Sequence, residues 1–221
     1  MDKNTPLIQL ERISFSYTPE RPVLRGASLS LMKGEKAALL GPNGSGKTTL
    51  FHLIMGLLRP LSGTIRVFGS ERVAARDFHE VRRRVGLLFQ DSDDQLFSPT
   101  VAEDIAFGPF NLGKNRDEVL RIVHQTLSLI GLEGFEDRVT HKLSGGEKRL
   151  VALGTVLAMQ PEVLLLDEPV IGLDDEHRSR FTKILRDSSL TFLIISHDHD
   201  FLGEVAAGKF RMADGAVVRD R

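Results

Sequence analysis

The sequence predicts an α/β domain with a mixed-sheet core, an antiparallel β subdomain near its start and a helical subdomain inserted in the middle. Three observations predict it. Short continuous apolar runs, KAALL (36–40), VGLLF (85–89), VLLLD (163–167) and TFLII (191–195), read as strands covered on both faces. By contrast, LIQLERISFSY (Leu7–Tyr17) and ASLSLM (Ala27–Met32) alternate apolar and polar residues, the pattern of half-buried antiparallel strands. Between about residues 100 and 160 a helical period takes over.

The elements follow in order. After KAALLG comes TTLFHLIMGLL, a helix ending near Gly56, and then TIRVFG, a short strand. VGLLF (Val85–Phe89) is a second buried strand. Thr100 and Glu103 stand at capping-box spacing before an apolar run. Val119, Ile122, Val123, Leu127 and Ile130 place a helix over Arg116–Ile130. Another begins near Gly146 and runs to about Met159. VLLLDE is a buried strand, Asp175–Asp187 a helix, TFLIIS a strand and His199–Ala206 a short helix. KFRMADGAVVRD closes as a hairpin turning at Asp214-Gly215. The expected organisation is one domain, with 1–90 and 161–221 as the α/β core and β subdomain and 91–160 as the helical subdomain.

Composition removes several classes of function. Hydrophobic residues make up 41% of the 221, enough for a packed core. With 29 Lys plus Arg against 30 Asp plus Glu, a nucleic-acid-binding face is not expected. There is no Cys, so disulfides, thiolate zinc sites and cysteine nucleophiles are excluded. MDKNTPLIQLER has no apolar core of a signal peptide. No window approaches the ~18 consecutive apolar residues of a membrane span.

GPNGSGKT, Gly41 to Thr48, fits G-x-x-x-x-G-K-[ST] between a buried strand and a helix. Backbone N–H groups from Gly41 through Thr49, including those of Asn43, Gly44, Ser45 and Gly46, can cradle phosphate oxygens; Pro42 adds shape but no donor. Lys47 brings a positive charge to the β- and γ-phosphates, and the Thr48 hydroxyl is a Mg²⁺ ligand. VLLLDE supplies the complementary carboxylates at the end of another strand. Asp167 is placed to hold Mg²⁺ and Glu168 to act as general base on water. These motifs point to a nucleotide and Mg²⁺.

LSGGEKRL, Leu143 to Leu150, is a second glycine cluster ahead of a helix. At this point the chain resembles the ATP-binding cassette (ABC) ATPases. LSGGE is similar to their signature LSGGQ, with Glu147 in place of Gln. The resemblance covers essentially the whole chain in family order: aromatic residue, phosphate loop, glutamine loop, signature, VLLLDEP, GLD and switch histidine.

The resemblance implies that two cassettes, identical or different, pair head to tail. Ser144, Gly145, Gly146 and Glu147 would then meet the γ-phosphate bound to the partner. It further implies that Tyr17 stacks on adenine, Gln90 helps to ligate Mg²⁺, Asp174 couples the two sites and His197 contacts the γ-phosphate. In SHDHD, His197 fits this switch position better than a metal site, and His199 and Asp200 read as helix-start residues. Val170 stands where the family usually has Thr, which bears on the positioning of Asp174.

FQDSDDQLFSPTVAEDIAFGPFNLG, Phe89 to Gly113, resembles the same segment of energy-coupling-factor (ECF) importer ATPases, with Ser92 for Pro and Phe110 for Leu. A calcium loop beginning at Asp91 would need Gly at Leu96 and Glu at Ala102, and is set aside. The resemblance implies a short helix over DDQLF and a docking surface for membrane subunits at Asp94, Gln95, Leu96 and Phe97. It further implies a peripheral protein at the cytoplasmic face of the cell membrane. The short tail after His197 points to cobalt or nickel import. A vitamin importer, another ABC transporter and a soluble nucleic-acid-stimulated ABC ATPase are the alternatives. Only about 120 residues separate Lys47 from Asp167, with no heptads, which disfavours a coiled-coil chromosome-maintenance cassette.

Overall fold

The computed structural model describes residues 5–220. The chain opens with β1 (Ile8–Ser16) and β2 (Pro22–Leu31), then β3 (Lys36–Leu40), α1 (Lys47–Ile54), β4 (Ser62–Val67) and β5 (Ser70–Glu71). Next come α2 (Phe78–Arg84), β6 (Val85–Leu88), α3 (Val101–Asn111), α4 (Arg116–Ile130) and α5 (Gly145–Leu157). The last part holds β7 (Val163–Asp167), α6 (Asp175–Asp187), β8 (Thr191–Ile195), α7 (His199–Val205), β9 (Gly208–Ala213) and β10 (Ala216–Arg219).

One sheet has the order β2-β1-β4-β5 with antiparallel pairing throughout. The other has the order β10-β9-β3-β8-β7-β6. In it β9, β3, β8, β7 and β6 pair in parallel, and β10 is an antiparallel edge. The β9–β10 hairpin turns at Asp214 and Gly215, both at positive φ, as a two-residue primed turn requires.

The parallel strands divide their side chains between two cores, because successive residues point to opposite faces. Val163, Leu165 and Leu193 join α1's Leu50, Phe51, Leu53 and Ile54 in a core shared with Ile8, Leu10 and Ile13 of the antiparallel sheet. Leu164, Leu166, Phe192 and Ile194 face the other way, into a core with Ile105 of α3, Val123 and Leu127 of α4, Leu150 of α5 and Phe181 of α6. The helices between 91 and 160 thus share their core with the sheet and do not build one of their own.

Capping fixes the helix starts. Thr100 Oγ1 accepts from Glu103 N (3.3 Å) while Glu103 Oε2 accepts from Thr100 N (3.1 Å), the reciprocal pair expected from the sequence. Thr100→Ala should cost about 1 kcal/mol, read as a lower urea midpoint at unchanged slope. An unchanged midpoint would show that the cap adds nothing to α3.

Two expectations are corrected. α2 was not anticipated; it anchors only Phe78 and Val81 in the core. DDQLF is not a helix but a single turn, closed by Gln95 N and Leu96 N on Ser92 O (3.1 and 2.9 Å). The turn cannot propagate. The next donors, Phe97 N and Ser98 N, go to the buried Asp104 Oδ1 (3.1 and 2.9 Å), and Pro99 has no N–H.

Candidate active site

The phosphate loop runs from the end of β3 into α1. Gly46 caps α1 at φ 105°, and a Cβ there would lie 2.8 Å from Val23 Cγ1, so both conformation and space demand glycine. Lys47 Nζ donates to Gly41 O (2.8 Å) and Pro42 O (2.9 Å), which leaves one of its three hydrogens for another acceptor. Burial pushes the Lys47 ammonium below its usual value, and Glu168 and Asp167 partly offset this. Ser45 Oγ is the one fully enclosed side-chain polar atom without a hydrogen-bond partner among the described residues. The free ammonium hydrogen of Lys47, which lines the cleft over this loop, calls for an anionic acceptor.

A cleft of about 680 Å³ opens over this loop and is lined by Tyr17, Asn43, Lys47, Thr48, Gln90, Asp167, Glu168 and His197, among others. Thr48 Oγ1 donates to Asp167 Oδ2 at 2.6 Å. Burial raises Asp167 above the usual carboxylate range; Thr48 and Lys47 pull the other way. Glu168 sits at φ 45°, an uncommon backbone for a non-glycine residue, held by its N–H on Ile195 O (2.8 Å). Burial raises its carboxyl as well, and His197 opposes the rise.

His197 Nε2 is 2.8 Å from Asn43 Oδ1 and 3.5 Å from Glu168 Oε1. Both are acceptors, so Nε2 carries a proton here. The loop bearing His197 is fixed by Asp198, which caps α7 and takes a two-pronged bond from Arg178. Tyr17 is 58% exposed, stacks edge-on against Phe15 and meets Thr49 Oγ1 at 3.2 Å. A roomier groove of about 780 Å³ lies between α4 and α6, but no member of the catalytic set lines it.

Ser144 to Glu147 do not line the cleft over Lys47. They form the start of α5, where Ser144 Oγ accepts from Glu147 N (3.3 Å) and Glu147 Oε2 from Ser144 N (2.7 Å). Asp174 caps α6 by accepting from His177 N (2.9 Å). Val170 is buried among apolar side chains, where a methyl takes the place of the usual hydroxyl.

The ABC transporter family matches residues 24–171, more than half of the chain. The chain belongs to the ABC transporter family. It is 51% identical to an ABC transporter ATP-binding protein of Nitratidesulfovibrio vulgaris, over 98% of this chain and 80% of that one. It is 42% identical to the energy-coupling factor transporter ATP-binding protein EcfA of Methanothermobacter thermautotrophicus, over 97% and 70%. Among solved structures, cbiO1 of Clostridium perfringens, described as part of the ABC transporter complex cbiONQ, matches with a TM-score of 0.87 at 35% identity, over 97% of this chain and 88% of that one. The resemblance to ECF-type ATPases holds, and the cassette is an ATPase.

In the cassette, the residues expected to form a docking surface separate into two groups. Gln95 turns inward: it accepts from Phe89 N (3.2 Å) and donates to Ala152 O (2.7 Å) and Thr155 Oγ1 (2.8 Å). Leu96 is 9% exposed and belongs to the helical core. Both are corrected from surface to structure, because the turn after Ser92 rolls its second half toward α5. Asp94 stays exposed, and Phe97, 68% exposed, stacks edge-on with Phe107.

Sequence reasoning missed Arg149. It is 3% exposed and meets no carboxylate; its three nitrogens bind backbone carbonyls. Nη1 reaches Phe89 O and Gln90 O, Nη2 reaches Asp167 O and Glu168 O, and Nε reaches Pro169 O, at 2.5 to 3.1 Å. Burial pushes the guanidinium down to about 10, so it remains charged at neutral pH. The signal was an Arg on the face of α5 that otherwise carries Leu150, Leu153 and Val156. An arginine among core positions must find many acceptors at once. Lys148 adds a bond to Asp93 Oδ1 (2.6 Å), so the segment from Phe89 to Gln95 is fastened to α5 by three successive side-chain sets.

Proposed function

We propose that this cassette is the ATP-hydrolysing subunit of an ECF-type importer. It works as one of two cassettes bound to membrane subunits at the cytoplasmic face, and the imported substrate is cobalt or nickel ion. The convergence of Lys47, Thr48, Asp167, Glu168 and His197 on one cleft supports the hydrolytic role. The likeness to EcfA and to cbiO1 supports the transporter, and the resemblance of Phe89–Gly113 to the ATPases of cobalt and nickel importers favours a metal cargo. Among the described residues, no helix is long and apolar enough to cross a membrane, so the reading assigns the path to other subunits.

Lys47 takes the β- and γ-phosphates, with the loop's N–H groups completing the cradle. Thr48 Oγ1 and the Asp167 carboxylate fit Mg²⁺: both are hard oxygen donors, and burial has taken from Asp167 the solvation that a cation would replace. Gln90 lines the same cleft and adds an amide oxygen. When bound, the ion would neutralise phosphate charge. Glu168 accepts the proton of the attacking water, and its raised affinity for protons suits that task. His197, through Nε2–H, donates to the γ-phosphate. Tyr17 stacks on the base. Ser144 to Gly146, outside their own chain's cleft, serve the partner's phosphate, with Glu147 spent on the cap; Asp174 couples the two sites.

Phe97 and Phe107, exposed and stacked on each other, form with the exposed Asp94 of the same turn as Phe97 the surface on which a membrane subunit docks. Phe97→Ser should leave the ATP dissociation constant of the cassette within about two-fold and reduce co-purification with its membrane subunits several-fold. Undiminished co-purification overturns the docking surface. Uptake of a vitamin but not of Co²⁺ or Ni²⁺ by the assembled transporter overturns the cargo. Activation by DNA or RNA without a membrane partner would favour the soluble ATPase.

A further inference from the structure

The catalytic proposal leaves one close contact unused, between the start of α6 and the start of α5. Asp174 is 65% exposed at its side chain and caps α6. His177, one turn later, is mostly covered. Its Nδ1 lies 2.8 Å from both Asp174 Oδ1 and Oδ2. An ionised carboxylate only accepts, so Nδ1 carries the hydrogen in this contact. That hydrogen is present on imidazolium and on the neutral Nδ1–H tautomer alike, so the contact needs no charge on the ring. The backbone bond from His177 N, followed by the imidazole bond, holds the Asp174 carboxyl below the usual carboxylate range.

The ring also lies against the signature. A Cβ at Gly146 would stand 2.6 Å from His177 Cγ and 2.7 Å from Nδ1. The missing side chain at Gly146 is therefore the space that the imidazole fills. One ring both packs on the signature helix and fixes the Asp174 carboxylate.

We propose that His177 is a positioning residue for communication between the two ATP sites. It holds the Asp174 carboxylate in the orientation presented to the partner cassette and registers it against Gly146 of its own signature. This rests on the reading of Asp174 as the coupling residue. Without the ring, the cap bond from His177 N holds one oxygen of the largely exposed Asp174 carboxylate and leaves the other without a protein donor. The two-oxygen bond to a packed ring fixes the carboxylate before the partner arrives, which is preorganisation.

The test uses steady-state ATP turnover of the full chain with its thermal midpoint measured in parallel. Asp174→Ala, His177→Leu and His177→Ala should each lower kcat by about five-fold or more, with KM for ATP within about two-fold, because the phosphate loop is untouched. His177→Asn should keep most of the wild-type kcat, since its amide N–H can replace Nδ1–H. Adding His177→Leu to Asp174→Ala should cost nothing further, because both remove one interaction. Normal kcat in His177→Leu and His177→Ala beside an impaired Asp174→Ala overturns the positioning role alone. Normal kcat in Asp174→Ala overturns the coupling reading itself. An Asn variant as slow as the Leu variant assigns the effect to ring packing and also overturns the proposal. His177→Ala keeps the test open if the larger Leu side chain prevents folding.

Discussion

Glu168→Gln should bind ATP, turn it over about 10²–10⁴-fold more slowly, and accumulate as a closed dimer in the presence of ATP. The amide keeps the size of the side chain and its place beside His197, but it cannot take a proton from water. Single-turnover hydrolysis and size-exclusion chromatography with ATP check both halves of the result; wild-type turnover would remove Glu168 from the role of base. The acid limb of the wild-type rate profile carries the same signature. The base must be ionised, and burial raises its carboxyl above the ordinary value. Activity should therefore begin to fall at a higher pH than an exposed glutamate would give.

The folding consequence has the same cause with the opposite benefit. A carboxyl whose value is raised on folding contributes stability that is present below its unfolded value. That contribution is lost as pH rises through the folded value. Asp167 and Glu168 are both raised, so near neutrality the adjacent pair weakens the nucleotide-free fold. Removing one of the two charges should raise the thermal midpoint of the free Gln variant while hydrolysis slows.

Arg149→Met should be the most damaging single change to the fold, by about 3–5 kcal/mol. Methionine fills much of the volume but leaves the carbonyls of Phe89, Gln90, Asp167, Glu168 and Pro169 without their shared donor. In a chain of this size, the thermal midpoint should fall by roughly 6–20 °C. Urea unfolding at several pH values separates this from the carboxylate effect. A midpoint equal to wild type would mean that those carbonyls find water or other donors. The variant should also hydrolyse poorly, since the carbonyls released belong to Gln90 and Glu168.

The parts of the cassette visible in the sequence were those with a short-range rule behind them. Strands β3, β6, β7 and β8 of the parallel sheet are continuous apolar runs, and the helices over Arg116–Ile130 and Asp175–Asp187 have the bounds that their periodicity and caps predict. The phosphate loop and VLLLDE carry their chemistry in sequence spacing, and the structure brings them to one cleft. The missed parts depend on partners far along the chain. α2 has two buried anchors and no apolar period to read. Gln95 and Leu96 belong to a polar, acidic segment whose direction is set by Asp104, by α5 and by the absence of a donor at Pro99. Arg149 is one basic residue in a basic stretch, EKRL, until five carbonyls from two strand ends surround it. The ring of His177 at Gly146 is likewise a meeting of elements some 30 residues apart, with no trace in either local pattern.

The unspent hydrogen of Lys47 has a wider meaning than its place in the cradle. Together with the two carboxylates raised by burial, it makes the free cassette a structure with several demands unmet at one spot. Whatever satisfies them acts as the final piece of the fold, so occupancy and folding share a single equilibrium. Apparent stability then follows the nucleotide concentration of the surroundings, and a chain starved of it is the one most exposed to unfolding and proteolysis.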